Sequence, residues 1–288
     1  LHMPSHIFVR LGLWQDSITS NIASEASAAR LAEEHKVESH YQMHARDFLN
    51  YSYLQSGQET KAREVIEHSG HVVGADESTK ADHRAHLATR TALELHRWKE
   101  AASLPLPAIR KDLLDETQWA QAIGAARSGD LAAAESAVNA LRQSVAERES
   151  RSRKQGYTLS GEKASDLGEA EAWLAFVKGK PEDGLQELRE AAEHQEKNGG
   201  ESTGIPAREM LADMLMELKR PGEALKEYKI VLRNAPNRFD ALLGAARAAQ
   251  ALGDKDSAPS FYAKLTDMCP PGADRPELTE AKTFLAQK

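Results

Sequence analysis

The sequence predicts an all-α protein, a solenoid of about seven helix-turn-helix units followed by a C-terminal capping helix. Three observations carry this. Between Ala207 and Pro270 one unit occurs twice: Ala212 recurs as Ala246, Ala224 as Ala258, Tyr228 as Tyr262 and Pro236 as Pro270, each pair 34 residues apart. Such a period belongs to stacked helix pairs. Residues placed to end a first helix, most of them glycines able to turn left-handed, then anchor seven units at Gly12, Gly57, His96, Gly129, Gly179, Lys219 and Gly253. Small side chains recur around every anchor: Ser17, Ala62, Ala101, Ala134, Gly184, Ala224 and Ala258 five residues after it, and Ser5, Asn50, Thr89, Ala122, Ala172, Ala212 and Ala246 seven before. A large side chain at either place would force the two helix axes apart.

In chain order, Met3 to Arg10 supplies the first helix A, with Pro4 tolerable in its first turn, and Trp14 to Ala32 supplies helix B. The second unit runs from about Tyr41 to Ser69, with Phe48, Leu49, Tyr53 and Leu54 at helical spacing. Gly70 to Ser78 breaks the pattern and reads as a loop. The third unit, Ala81 to about Leu104, ends at Pro105 and Pro107, and the fourth spans Asp115 to about Glu147. The Arg- and Ser-rich stretch up to Gly161 reads as a helix extension followed by an exposed turn. After the fifth unit, Asp166 to His194, the segment Lys197 to Gly204 stretches the repeat to 40 residues. Such an insertion lies on one rim, where it is either a slack loop or a flap over a ligand. Arg275 to Gln287, with Leu278, Ala281 and Leu285 on one side, is the capping helix.

The composition is that of a globular chain, 41% hydrophobic and 28% charged in 288 residues. Repeats add on without forming separate cores, so one continuous domain is expected over residues 1–288. A formal net charge of -7 with no basic stripe argues against nucleic acid as a partner. The single cysteine, Cys269, excludes an intrachain disulfide and a cysteine-based zinc site. No apolar run reaches membrane-spanning length. The chain opens at Leu1 already inside a helix A, which suggests the C-terminal part of a longer protein and leaves an apolar edge that could pair two copies in a homodimer. The compartment is not readable.

The 34-residue period with its small, small, aromatic and Pro positions resembles the tetratricopeptide repeat (TPR), which implies a right-handed TPR-like solenoid. More narrowly, the segments HMPSHIFVRLG, DFLNYSYLQSG, PAREMLADML and PNRFDALLGAARAA resemble a largely uncharacterised group of bacterial TPR proteins. That resemblance implies no reaction. It does imply a protein or peptide partner held on a concave groove, lined from helix A at thirteen, ten and six residues before each anchor. Those positions hold His2, His6, His44, Asp47, Tyr51, His83, His86 and Arg90 in the first three units (1–110), then Trp119 and Trp173. Farther on (165–270) they hold Glu209, Asp213 and other acids. In relatives a His often follows Glu-Lys after the fifth unit; here that place is Asn198.

Five of the eight N-terminal groove positions are histidine in a chain with 11 histidines among 288 residues. Chance would place roughly 0.3 there, a prior from composition alone. His2 and His6 are i,i+4 and share a helix face. Three readings follow. A divalent ion such as zinc could be held by His2, His6 and Asp47 with His44 or His86. An anion or peptide group could instead be bonded by Arg90, Tyr51 and the imidazoles, or the histidines simply bond one another and Asp47. No catalytic or phosphate-binding motif is present, and an enzyme is not expected. The acidic C-terminal positions would suit a basic guest, or be a solvated helix face.

Overall fold

The computed structural model describes residues 1–35, 40–107, 111–154, 162–199 and 204–287, and every regular element among them is helical. The fold is all-α and TPR-like. The helices pair as α1 (Met3–Leu11) with α2 (Trp14–His35), α3 (His40–Gln55) with α4 (Glu59–Glu67), α5 (Glu77–Glu94) with α6 (Trp98–Ala102), and α7 (Lys111–Arg127) with α8 (Leu131–Lys154). They continue as α9 (Glu162–Val177) with α10 (Pro181–Lys197), α11 (Ala207–Glu217) with α12 (Pro221–Asn234), and α13 (Phe239–Ala251) with α14 (Ser257–Asp267), before α15 (Glu277–Ala286).

One local device makes all of these hairpins. Each of the seven anchors has a left-handed backbone, with φ of 66° at Gly12, 71° at Gly57, 52° at His96, 82° at Gly129, 77° at Gly179, 58° at Lys219 and 69° at Gly253. At Gly12 the anchor N–H donates to Val9 O and the next N–H, of Leu13, donates to Phe8 O; the same two bonds recur at every anchor. This is the Schellman closure, which satisfies the last carbonyls of helix A while turning the chain into helix B. The small residues on either side are all buried. Where Ser or Asn replaces Ala at these places, the polar atom is used: Asn50 Nδ2 donates to Ala62 O at 3.1 Å, and Ser17 Oγ lies 2.8 Å from Ser52 Oγ.

The helix ends differ from expectation in ways the caps explain. Helix α5 starts at Glu77 rather than Ala81, because Asp76 Oδ1 accepts the Thr79 N–H at 2.7 Å and caps it. The loop before it opens with a 3-10 turn, His68–His71. Helix α8 continues to Lys154, and the exposed turn expected after it falls on residues 155–161, outside the described ones. So do residues 200–203 of the insertion after the fifth unit.

The described residues gather into two compact units, the first made of residues 1–87 and 212–288, the second of 88–211. In the first, Phe239, Leu242, Tyr262, Leu265 and Leu278 form an apolar cluster, and Val9, Trp14, Phe48 and Tyr51 another. Buried beside the former, Arg275 Nη2 donates to Asp240 Oδ1 at 2.9 Å while its guanidinium lies 3.9 Å from the Phe239 ring centroid. Burying a charge is tolerable only with such partners. On α1, Met3, Ile7 and Leu11 lie at i, i+4 and i+8 and are 73%, 61% and 53% exposed. In the second unit α9 packs on α10 and also on α7 and α8, where Ala122 of α7, Val138 and Leu141 of α8 and Ala170 of α9 form one apolar cluster. No helix among the described residues is long and apolar enough to cross a membrane.

Candidate functional site

Three of the predicted histidines meet. His2 caps α1 with helical φ and ψ, so His6 lies one turn along the same face, and His44 approaches from the first turns of α3. One ligating nitrogen from each of His2, His6 and His44 lies within 4.8 Å of the other two. The closest pair, His2 Nε2 and His6 Nε2, is 3.0 Å apart. The His44 ring centroid is 4.3 Å from that of His2 and 5.7 Å from that of His6.

The surroundings fix these rings. Asn21 Nδ2 donates to Ser17 O at 2.8 Å, which turns the Asn21 Oδ1 toward His2. The His2 Nδ1–H donates to that oxygen at 2.7 Å. With Nδ1 protonated, the neutral ring carries its lone pair on Nε2, the nitrogen facing the cluster. Phe48, itself buried, makes steep edge contacts with all three rings, at centroid distances of 4.8 Å to His2, 4.7 Å to His6 and 5.2 Å to His44. Burial lowers the pKa of His2, with the Asn21 bond opposing and His6 reinforcing; burial likewise lowers that of His44, reinforced by His2.

The other predicted positions go elsewhere. Asp47 Oδ1 accepts from His86 Nε2 at 2.8 Å, so these two form their own pair on α3 and α5 rather than entering the three-histidine cluster. Tyr51 is buried, and its hydroxyl accepts from Arg238 Nη1 at 3.0 Å. His83 and Arg90 are buried. Asp213 accepts from the Tyr228 hydroxyl at 2.6 Å, Glu209 is fully buried, and Asp240 is taken by Arg275. Each of these three acids is thus bonded or buried within the fold. Trp173 is fully buried and Trp119 half-buried.

Residues outside the expected set also converge. His40, one turn before His44, stacks on it at 5.9 Å and 10°. In the second unit His96, Arg97, Trp98, Lys99, Arg127 and Ser128, with Glu100, line a cleft of about 440 Å³. The Arg127 guanidinium lies 4.2 Å from the Trp98 and 4.2 Å from the Trp173 ring centroid, and His96 stacks on Trp98 at 4.7 Å. The spacing of His40 and His44 was a usable signal. Arg127 and Trp98 fall at no repeat position assigned to ligands, so the register gave none.

The sequence matches no protein family model and no curated protein. A crystal structure of a tetratricopeptide repeat protein from Parabacteroides merdae is similar to the chain with a TM-score of 0.49 and 13% identity, covering 97% of this chain and 99% of that one.

Proposed function

We propose that the chain is a TPR-like interaction module, and that in its second compact unit the His96–Arg127 cleft takes a carboxylate-bearing segment of a partner protein. The observation that carries this is the Arg127 guanidinium set against Trp98 and Trp173, at 4.2 Å from each ring. A guanidinium stacked on aromatic faces is held at a fixed place and brings positive charge to the cleft, which suits a carboxylate. Its rotamer freedom is already restricted, so a ligand loses less entropy by engaging it. Exposed Arg97 and Lys99 add positive charge to the cleft against the single Glu100, and Trp98 offers an apolar wall.

His96 belongs to this arrangement. It occupies an anchor that is Gly in five of the seven hairpins, with φ of 52°, and its ring lies on Trp98. Backbone strain of this kind gathers where a side chain is needed. The test uses two fluorescein-labelled decapeptides of equal length, one Glu-rich and one Lys-rich, each with a central Leu. The Glu-rich probe should bind, weaken with salt, and lose about 10-fold or more in affinity in the Arg127→Ala, Lys99→Ala double variant, since each ten-fold is about 1.4 kcal/mol. Preference for the Lys-rich probe, or no change in the double variant, contradicts the assignment.

A further inference from the structure

We propose that His2, His6 and His44 bind a divalent transition-metal ion of the zinc class. This does not rest on the peptide cleft: the three histidines belong to the first compact unit and the cleft to the second. Three imidazoles with ligating atoms within 4.8 Å of one another supply the all-nitrogen donor set that zinc and its neighbours prefer. Calcium and magnesium, which require oxygen ligands, are not served by it.

The distances need little adjustment. Two nitrogens bound tetrahedrally at about 2.05 Å from zinc lie about 3.3 Å apart. His2 Nε2 and His6 Nε2 are already 3.0 Å apart. His6 is exposed and His44 half-buried, so both rings can make the small rotations that bring the third nitrogen in. An ion at this point replaces the hydrogen bond between the two Nε2 atoms, and nothing in the fold has to open.

Two supports go beyond proximity. The Ser17–Asn21–His2 chain of hydrogen bonds holds His2 in the tautomer whose Nε2 is free to coordinate. A metal-bound histidine usually has such a partner on its other nitrogen, where it orients the ring and strengthens the donor. Phe48 then provides one apolar floor under all three rings, which holds them together without competing for the ion. The nearby Asp47 carboxylate, paired with His86, adds negative charge acting on both His2 and His44, which favours a bound cation. Three protein ligands leave at least one coordination position for water or for a carboxylate or similar donor from a ligand.

Other histidines provide the control. His68 and His71 lie at ring centroids 5.9 Å apart in the same unit but form no three-ligand group among the described residues. The experiment is titration of the untagged, chelator-treated chain with zinc sulfate by calorimetry, repeated with cobalt by visible absorption. The expected result is one zinc per chain, with cobalt showing the intense bands of a low-coordinate site. Affinity should fall at least ~100-fold in His44→Ala, beyond the 10–100-fold of outer-shell changes, and stay unchanged in the His68→Ala, His71→Ala double variant. Should circular dichroism show lost helix in His44→Ala, His6→Gln alters only an exposed side chain and must show the same loss of affinity. No binding of either metal at millimolar concentration overturns the proposal. So does zinc binding that survives His6→Gln, or that disappears with His68 and His71 instead.

Discussion

Left-handed backbone at seven single positions turns this chain seven times, and two of those positions are not glycine. Lys219 has φ of 58° with an exposed side chain. A Cβ in that conformation costs about 1 kcal/mol, partly offset because glycine is freer in the unfolded chain. Lys219→Gly should therefore raise stability by up to about 1 kcal/mol, read as a higher urea midpoint at unchanged slope; a lower midpoint would contradict the argument. His96, by contrast, keeps the same strain with its ring against Trp98. Both anchors were legible in the sequence only because the small residues five after and seven before them kept the register. The partners of Tyr51 and Asp240 were not legible. A repeat says which face a residue occupies, but not that Arg238, 187 residues away, donates to the Tyr51 hydroxyl.

Cys269 lies between a helix end and two prolines, and burial pushes its thiol up to about 12, with Arg275 and Lys282 opposing. Little thiolate exists at neutral pH under those conditions.

At the scale of elements, hairpin packing is set by how closely two backbones approach. On α7, a Cβ added to Gly124 would lie 2.5 Å from Ala102 N and 2.5 Å from Trp98 O. Backbone cannot rotate aside as a side chain can. Gly124→Ala should lose about 1–3 kcal/mol or more, measured by chemical denaturation, and weaken the Glu-rich peptide because α6 carries Trp98. A neutral effect would mean the two helices are not in contact as described. Gly124 was not singled out by the repeat, since the small positions counted there were Ala122 and Ala134.

The start of α5 gives a pH-dependent test. Asp76 accepts first the Thr79 N–H and then the Ser78 hydroxyl, which lowers its pKa from 3.8 to about 2. A depressed carboxylate stabilises the fold above its ordinary pKa, and the contribution fades as pH falls from there through about 2. Asp76→Ala should thus melt at a lower temperature than the parent at pH 7, with the gap shrinking between pH 4 and pH 2.5. A gap that stays constant with pH would show that the cap does not act through its charge. The helix pattern placed α5 but missed this start, because an Asp cap precedes the first apolar residue of the period by several positions.

For the whole molecule, the local code and the long-range code separate. Seven hairpins followed from a period and from the size of a few side chains, which are local demands. The partition into residues 1–87 with 212–288, and 88–211, depends on contacts between distant segments and left no trace in the period. The histidine patch divides in the same way. The i,i+4 spacing of His2 and His6 and the register of His44 were readable, whereas the withdrawal of Asp47 to His86 and the arrival of Asn21 and Phe48 depend on neighbouring helices. A helical-repeat scaffold with three imidazoles brought together in its first two hairpins, and an arginine-centred cleft in its third and fourth, is the account that joins these levels.

Its central claim is the identity of that imidazole cluster, and the most direct measurement is anomalous diffraction at the zinc edge from crystals grown with one equivalent of zinc. One strong peak is expected within about 2.0–2.1 Å of a nitrogen from each of His2, His6 and His44, with the Asn21 bond to His2 Nδ1 retained. A peak coordinated by other histidines, or no peak at full zinc occupancy of the buffer, would contradict it.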